Sequence, residues 1–506
     1  MTAAGREMSL GVVGAGTMGR GIVQLFAQAG YRVVLHDAAE GAAEQARSFI
    51  AGMFDRAAEK GRMTNAAAEA AKDRIALAGE LRDLAGCGVV IEAIVEALEP
   101  KQQLFTALAK LLPADAVLAT NTSSLSVSEI AAAVPGPERV AGLHFFNPVP
   151  LMKVAEVIHG LRTDPKVVDL LCELVAASGH KAVVATDTPG FLVNHAGRGL
   201  YTEGLQILRD GIATPAVIDA TLREAAGFRM GPFELLDLTG LDVSFPVMQQ
   251  IYGQFWQEPR FRPAPFLAQR VAAGLVGRKR GEGWYRYRDG KIQRPEEDAV
   301  PEVALPPVWI SPDDGARSRL LTDAVAAAGV TPSSDETPPK DALCLVAPLG
   351  QDATETILRR GLDPARSLAV DTLVGLEGRR TVMATPATDP TYRVAAQALF
   401  ARGGQAVSVI HDSPGFIVQR VLATVINIAC EIAQQRIASP ADIDTAVTLG
   451  LGYPKGPLAW GNALGPARIV EILRALEVAT GDPRYRVSPW LRRRARLGLS
   501  LLTPED

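Results

Sequence analysis

His144 and Glu156 are the pair in this sequence best suited to move a proton. They stand twelve residues apart in the stretch LHFFNPVPLMKVAE, with Pro148 and Pro150 between them. Proline restricts its own φ and biases the preceding residue towards extended backbone. The stretch therefore reads as strand, sharp bend, strand, and such a bend brings Glu156 back beside His144. An imidazole whose tautomer and orientation are set by a carboxylate is a usable general base near neutral pH. The plainer reading is a half-buried histidine held by a glutamate for stability alone. A second candidate is Ser123 in Asn121-Thr122-Ser123-Ser124, just past a strand end, where it can face the same crevice. Its alternative role is to cap the helix that starts near Val127.

A third constellation suits phosphate. Residues 10–13 read as a buried strand running straight into Gly14-Ala15-Gly16-Thr17-Met18-Gly19. A helix follows to about Ala29, Gly30 stops it, and a second strand over 31–35 leads to Asp37, 18 residues past the last glycine. Gly14 permits the tight turn, Gly16 lets backbone amides approach a pyrophosphate, and Gly19 lets helix and strand pack closely. The helix N-terminus favours negative phosphate. Asp37 can accept bonds from both ribose hydroxyls and repels a 2′-phosphate, which selects NAD over NADP.

The elements that must position these groups follow a doubly wound pattern. Residues 39–78 suggest a helical pair projecting from the sheet, with Lys60 and Arg62 near its turn, either as phosphate contacts or as solvated charges. Residues 87–95 form a further strand, followed by a helix carrying Glu96, Lys101 and Leu104, and 117–120 form another. From Asp187-Thr188-Pro189-Gly190-Phe191 the chain turns helical, with Pro189 in a first helical turn. A charged, proline-rich linker spans about 289–307.

The same pattern returns. Asp412-Ser413-Pro414-Gly415-Phe416 lies 225 positions after Asp187, and Gly452-Tyr453-Pro454-Lys455-Gly456-Pro457 lies 225 after Gly227. Windows 187–240 and 412–465 share 16 identical residues without a gap. One fixed offset means a duplicated helical domain. Before the second copy, about 303–408 resembles a worn sheet domain with strands at 343–346 and 368–370. There Met383–Pro390 is expected in the place of HFFNP. This half has no GxGxxG and no NTSS, and Gln419 stands where the first copy has Asn194.

At 506 residues the chain should hold three or four domains. A net charge of −4 argues against nucleic acid or an anionic membrane as the main partner. Four isolated cysteines without CxxC suit neither zinc nor a disulfide framework, so reduced thiols are expected and no metal. No apolar run reaches the roughly 18 residues of a span, and MTAAGREMSL lacks a signal peptide's apolar core. A cytoplasmic protein is expected.

The motif order GxGxxG, NTSSLS, HFFNPVPLMKVAE, DTPGFLVN and GxxxGP resembles the L-3-hydroxyacyl-CoA dehydrogenase family, closely over 8–285 and again over 410–480. The length and the duplicated half are similar to its long bacterial members of phenylacetate breakdown, which act on 3-hydroxyadipyl-CoA. The resemblance implies NAD held by Gly14, Gly16, Gly19 and Asp37, with Glu96, Lys101, Asn147 and Lys279 as further cofactor contacts. It implies His144 as base, Glu156 as its partner, Ser123 on the substrate oxygen, and Asn194 positioning the substrate. Arg198, four positions after Asn194 on one helix face, could pair with a distal carboxylate.

The fold expected is an α/β Rossmann-type domain plus an all-α C-terminal domain, with the helical domain duplicated. The boundaries are 1–186 for the NAD-binding domain, 187–290 for the helical substrate domain, 303–408 for the degenerate sheet-like domain and 409–506 for the second helical domain. The two helical copies are expected to pair within one chain, with further homodimerisation left open. The activity implied is oxidation of an acyl-CoA substrate, 3-hydroxyadipyl-CoA. The alternatives are a general 3-hydroxybutyryl-CoA or fatty-acid β-oxidation enzyme, a related hydroxy-acid dehydrogenase, or a non-catalytic NAD-binding protein.

Overall fold

Short apolar runs such as LGVV, VVIE and VLAT are buried along their whole length, as strands covered on both faces must be. In the computed structural model, which describes residues 8–297, 299, 300 and 302–505, they build one sheet. The leader ahead of Met8 lies outside the described residues. The strands are β1 (Leu10–Val13), β2 (Val33–His36), β3 (Ile75–Leu77), β4 (Val89–Glu92), β5 (Val117–Thr120), β6 (Val140–Phe145), β7 (Val154–His159) and β8 (Lys181–Thr186). Their order is β3-β2-β1-β4-β5-β6-β7-β8. Every pairing is parallel except β6 with β7.

Helices α1 (Thr17–Gln28), α2 (Ala42–Glu59), α3 (Asn65–Asp73), α4 (Leu98–Leu111), α5 (Val127–Ala132), α6 (Pro165–Ala177) and α7 (Val193–Arg209) follow. The α1 side chains Ile22, Val23 and Phe26 join one core, and Phe105 and Leu108 of α4 join the other. The expected helical pair is α2 with α3. Three local expectations change. Glu96 lies on the loop ahead of α4 rather than on it. Pro189 sits in the turn before α7, where Gly190 and Phe191 take φ of 73° and 48°. The cap of α5 is Ser126, whose hydroxyl accepts from the Glu129 amide, so the NTSS serines are not its cap.

Contacts divide the chain into two units, Met1–His195 with Gln435–Leu451, and Ala196–Gln434 with Gly452–Asp506. Residues 435–451, expected within the second helical domain, thus join the first unit. Their helix Pro440–Leu451 packs on β7 and β8, and Thr186 donates to the Ile437 carbonyl at 2.9 Å. Gly450 permits the approach, since a Cβ there would meet Val193 at 3.1 Å and Val154 at 3.5 Å.

The second unit holds a hairpin, β9 (Arg286–Arg288) with β10 (Lys291–Gln293), and a sheet of β11 (Val308–Ile310), β12 (Leu343–Val346), β13 (Ser367–Val370), β14 (Arg380–Ala384) and β15 (Val407–His411) in that order. In that sheet every pairing is parallel except β13 with β14. That is the pattern of β4 to β8 without β1–β3. The β6–β7 register maps onto that of β13–β14 under a uniform shift of 226 positions. This corrects the placement of Met383–Pro390. Its first two residues end β14 and the rest runs to Asp389, which caps the helix Pro390–Ala401 as Asp164 caps α6, so it matches the end of β7 and the β7–α6 turn and not HFFNP.

The helix Ile417–Gln434 is long and apolar enough by composition to span a membrane, contrary to the expectation, but 89% of it is buried inside the protein, as a core helix is. Across the duplicated helices the contacts are reciprocal. A Cβ on Gly227 would meet Pro454, and one on Gly452 would meet Arg229, the corresponding positions of the two copies. Phe228 meets Tyr453, its own counterpart, edge-to-face with ring centroids 5.0 Å apart.

Candidate active site

The antiparallel turn of β6 into β7 places His144 opposite Glu156. Their side chains meet, Nδ1 to Oε2, at 2.6 Å, with the carboxylate fully buried and the imidazole 5% exposed. A carboxylate on Nδ1 leaves Nε2 as the ring nitrogen able to take a proton. The other oxygen of Glu156 accepts from the amides of Leu192 (2.9 Å) and Val193 (2.8 Å) at the start of α7. Glu156 therefore ties the imidazole to the helix that carries Asn194. Phe146 closes over the ring at 4.5 Å.

The β5 loop sits beside this pair because Asn121 accepts from the Phe145 amide at 2.9 Å. One oxygen of Glu96 then gathers the loop: the hydroxyl and amide of Ser123 (3.1 and 2.8 Å), those of Ser124 (3.0 and 3.1 Å) and the Thr122 hydroxyl (2.8 Å). Burial alone would push the Glu96 carboxyl up. The Lys101 ammonium and these loop donors outweigh it and hold the group below its usual range. Lys101 is itself buried, with Nζ 2.6 Å from Glu92 and 3.4 Å from Glu96. Asp187 secures the far end of the loop, accepting from the Ser126 hydroxyl and the amides of Val127 and Ser128.

At the other end of the crevice the glycines divide the work as expected. Gly14 takes φ 109°, and a Cβ there would lie 2.4 Å from the Ala93 carbonyl. One on Gly19 would overlap Gly14. One on Gly16 would meet nothing within 4 Å. Gly16 is also the N-cap of α1 and makes no side-chain cap, so the first amides of α1 are left to a ligand. Asp37 ends β2 and accepts from the amides of Ala15 (2.6 Å) and Ala39 (2.8 Å). An open glycine at a bare helix N-terminus, with a carboxylate at the second strand's end, fits the pyrophosphate and ribose of NAD.

The structure gathers Ser123, His144, Glu156 and Glu96 in one unit, where Asn194 is half-buried and Asn147 exposed. Lys60 and Arg62 are exposed at the α2–α3 turn, which favours the solvated reading. Lys279 lies in the second unit and pairs with Asp242 at 2.6 Å. Arg198 is also in the second unit, buried, with its guanidinium 5.2 Å from the Tyr201 ring. Burial draws its pKa down against the electron-rich Tyr201 and Tyr453. It is therefore not an exposed arginine of the helix surface. Sequence reasoning missed Glu92, Asn121 and Asp187 as organisers of the site. Asn121 and Asp187 sit inside motifs it quoted, whereas Glu92 gave no signal beyond an acid in an apolar strand.

Residues 9–188 match the family model of the 3-hydroxyacyl-CoA dehydrogenase NAD binding domain, and residues 190–287 and 415–500 match that of the C-terminal domain. The chain belongs to the 3-hydroxyacyl-CoA dehydrogenase family. It is an NAD-dependent oxidoreductase, and the duplicated C-terminal match follows the repeat. The dehydrogenase is 38% identical over 490 residues to the 3-hydroxyadipyl-CoA dehydrogenase of Escherichia coli K12, covering 97% of this chain and 98% of that one. It is 39% identical over 282 residues to a 3-hydroxybutyryl-CoA dehydrogenase of Bradyrhizobium diazoefficiens, 56% of this chain and 96% of the relative. A crystal structure of 3-hydroxybutyryl-CoA dehydrogenase from Escherichia coli K12 matches with TM-score 0.84 and 38% identity, covering 97% and 98% of the two chains.

Proposed function

We propose that this dehydrogenase oxidises L-3-hydroxyadipyl-CoA to the 3-oxo ester in the cytoplasmic breakdown of phenylacetate. The carrying observation for the substrate is similarity along nearly its whole length to a dehydrogenase named for it. For the chemistry it is the buried His144–Glu156 pair.

Bound NAD supplies the hydride acceptor. As hydride leaves C3 of the alcohol, the oxygen must shed its proton, and His144 Nε2 takes it. Glu156 stabilises the imidazolium that forms, and two α7 amides already fix that carboxylate, so little has to reorganise as charge moves. Ser123 steadies the substrate oxygen. Gly14, Gly16, Gly19 and Asp37 hold the cofactor, joined by Glu96, Lys101, Asn147 and Lys279, and Asn194 orients the substrate at the start of α7. Lys60 and Arg62 are not needed for this reading.

Arg198 lies one turn beyond Asn194 and is our candidate partner for the distal carboxylate. A charge-assisted hydrogen bond of about 1.5–3 kcal/mol gives a roughly 10- to 150-fold preference over an uncharged chain. The second helical copy completes the chain as an internal partner, a pseudo-dimer supported by the reciprocal Gly227–Pro454 and Gly452–Arg229 approaches.

A second reading, a 3-hydroxybutyryl-CoA dehydrogenase, is favoured by the name of the matching crystal structure. Initial NADH formation with the adipyl and butyryl substrates, at matched concentration and pH, separates them. A strong dicarboxylate preference that Arg198→Ala abolishes is expected. A butyryl preference would establish the second reading, equal rates would leave a general 3-hydroxyacyl-CoA dehydrogenase, and equal weakening of both by Arg198→Ala would remove that residue from substrate recognition.

A further inference from the structure

The proposed catalytic groups do not use the buried charges at the end of β4. Glu92 is fully buried, yet both its oxygens are engaged. Oε1 accepts from Lys101 Nζ at 2.6 Å and from the Ile94 amide at 2.7 Å, and Oε2 accepts from the Thr120 hydroxyl at 2.7 Å. Lys101, only 1% exposed, reaches the second oxygen of Glu96 at 3.4 Å. The first oxygen of Glu96 holds Thr122, Ser123 and Ser124. A continuous polar chain thus runs from the β4–β5 strand ends, through α4, to the hydroxyl of Ser123.

One buried carboxylate, Glu92, and one partly exposed carboxylate, Glu96, share the buried Lys101 ammonium here. In a low-dielectric interior such a group goes to whichever partner is nearer and better bonded. Glu92 is the nearer, so Lys101 is held off Glu96, and Glu96 keeps its first oxygen turned to the loop. Thr120, the residue of β5 immediately before the Asn121–Ser124 loop, fixes Glu92 from the other side. Were Glu92 neutral, the ammonium would close on Glu96 and draw that carboxylate off the serines.

We propose that Glu92 is a positioning residue for Ser123, acting through Lys101 and Glu96 without touching substrate. This rests on the reading of Ser123 as the residue that steadies the reacting oxygen. It assigns an activity role to a carboxylate that otherwise looks like part of a buried ion pair.

A double-mutant cycle in the full chain tests it, with kcat and KM measured for wild type, Glu92→Gln, Ser123→Ala and the double variant. Contacting residues couple, whereas independent ones multiply their effects. Glu92→Gln is expected to lower kcat about tenfold or more. In the Ser123→Ala background the same substitution should change kcat less than about twofold. Equal losses in both backgrounds would mark Glu92 as merely structural and overturn the proposal. Wild-type kcat for Ser123→Ala would instead overturn the reading of Ser123 itself. If Glu92→Gln fails to fold, Thr120→Val, which removes one Glu92 bond and a longer 3.3 Å bond from the Thr122 amide but leaves every charge in place, carries the same cycle. An effect of Thr120→Val that is undiminished in Ser123→Ala would equally sink the proposal.

Discussion

Val370 and Val382 stand in the second sheet where His144 and Glu156 stand in the first, at the same register of the corresponding antiparallel pair, and both valines are fully buried. The fold therefore needs two side chains of moderate size at these positions, and only the chemistry needs an imidazole and a carboxylate. His144→Gln should lose at least 10²-fold in kcat, the lower end of what general base catalysis contributes. It should leave the melting temperature nearly unchanged. Glu156→Ala should differ in kind. It strands an imidazole and two buried amides, and unsatisfied buried groups cost about 1–3 kcal/mol each. Thermal denaturation of the two variants side by side checks the contrast. Asp219 gives a pH test at the same scale. Burial pushes its carboxyl up to about 7, although Tyr285 and the amides of Phe233 and Glu234 bond it. A raised acid favours the folded state fully below its unfolded pKa, and that contribution fades as pH rises towards 7, at up to about 1.4 kcal/mol per unit. Asp219→Asn should therefore gain stability relative to wild type between pH 5 and pH 8, and urea melts at both pH values would show it. A relative gain that shrinks with rising pH would refute the sign. His144 and Glu156 were legible in the sequence because two prolines announce a bend. Glu92 and Asp219 were not, since an acid in an apolar run shows its partners only once strands and helices are assembled.

Asp187 and Asp412 separate architecture from activity one level up. Each carboxylate holds the first amides of a short helix: Asp187 those of α5, and Asp412 those of Ala353 and Thr354 at the start of Ala353–Arg359. The bond is present in the copy that has Val370 and Val382 in place of His144 and Glu156, so its first duty is to join a helix to the strand that precedes the helical domain. Removing a set of capping bonds costs about 0.5–2 kcal/mol. Asp187→Ala and Asp412→Ala should destabilise the protein by similar amounts of that size. Only Asp187→Ala should also slow turnover, because α5 follows the loop that carries Ser123. Equal loss of activity in both variants would show that the effect travels through stability alone. The repeat at 225 positions was readable because Gly and Asp recur at positions with fixed backbone duties. The second sheet was read less well. Its strands are three to five residues long with no marker of register, and pairing puts Met383–Pro390 one strand later than the place of HFFNP.

At the scale of the whole molecule the contacts between the two helical copies are reciprocal, which supports the proposed internal pseudo-dimer. An isologous interface brings residue i to j and j to i, and places some residue against its own copy. Gly227 with Pro454, Arg229 with Gly452 and Phe228 with Tyr453 satisfy both conditions within one chain. The sequence signalled the duplication, but which helix faces which was settled by packing, and no spacing rule supplies that. If the second copy serves as the proposed internal partner, the full chain should sediment as a 53.6 kDa species and not as a dimer. Phe228→Arg should then destabilise it without any dependence on protein concentration, since a buried charge in an intramolecular interface has no dissociated state to escape to. Duplication also doubles the surface without doubling the chemistry. Among the described residues the second sheet has no counterpart of β1–β3, so it has no glycine loop and no aspartate at a second strand's end. Gln419, at the position of Asn194, spends its amide on Gly350, Pro348 and Asp371. Calorimetric titration with NADH should therefore give one site per chain, and Gly14→Ala, which drives a methyl into the Ala93 carbonyl, should abolish that site. A second, Gly14-independent site would mean that the second sheet binds nucleotide by a geometry other than the one the first sheet uses.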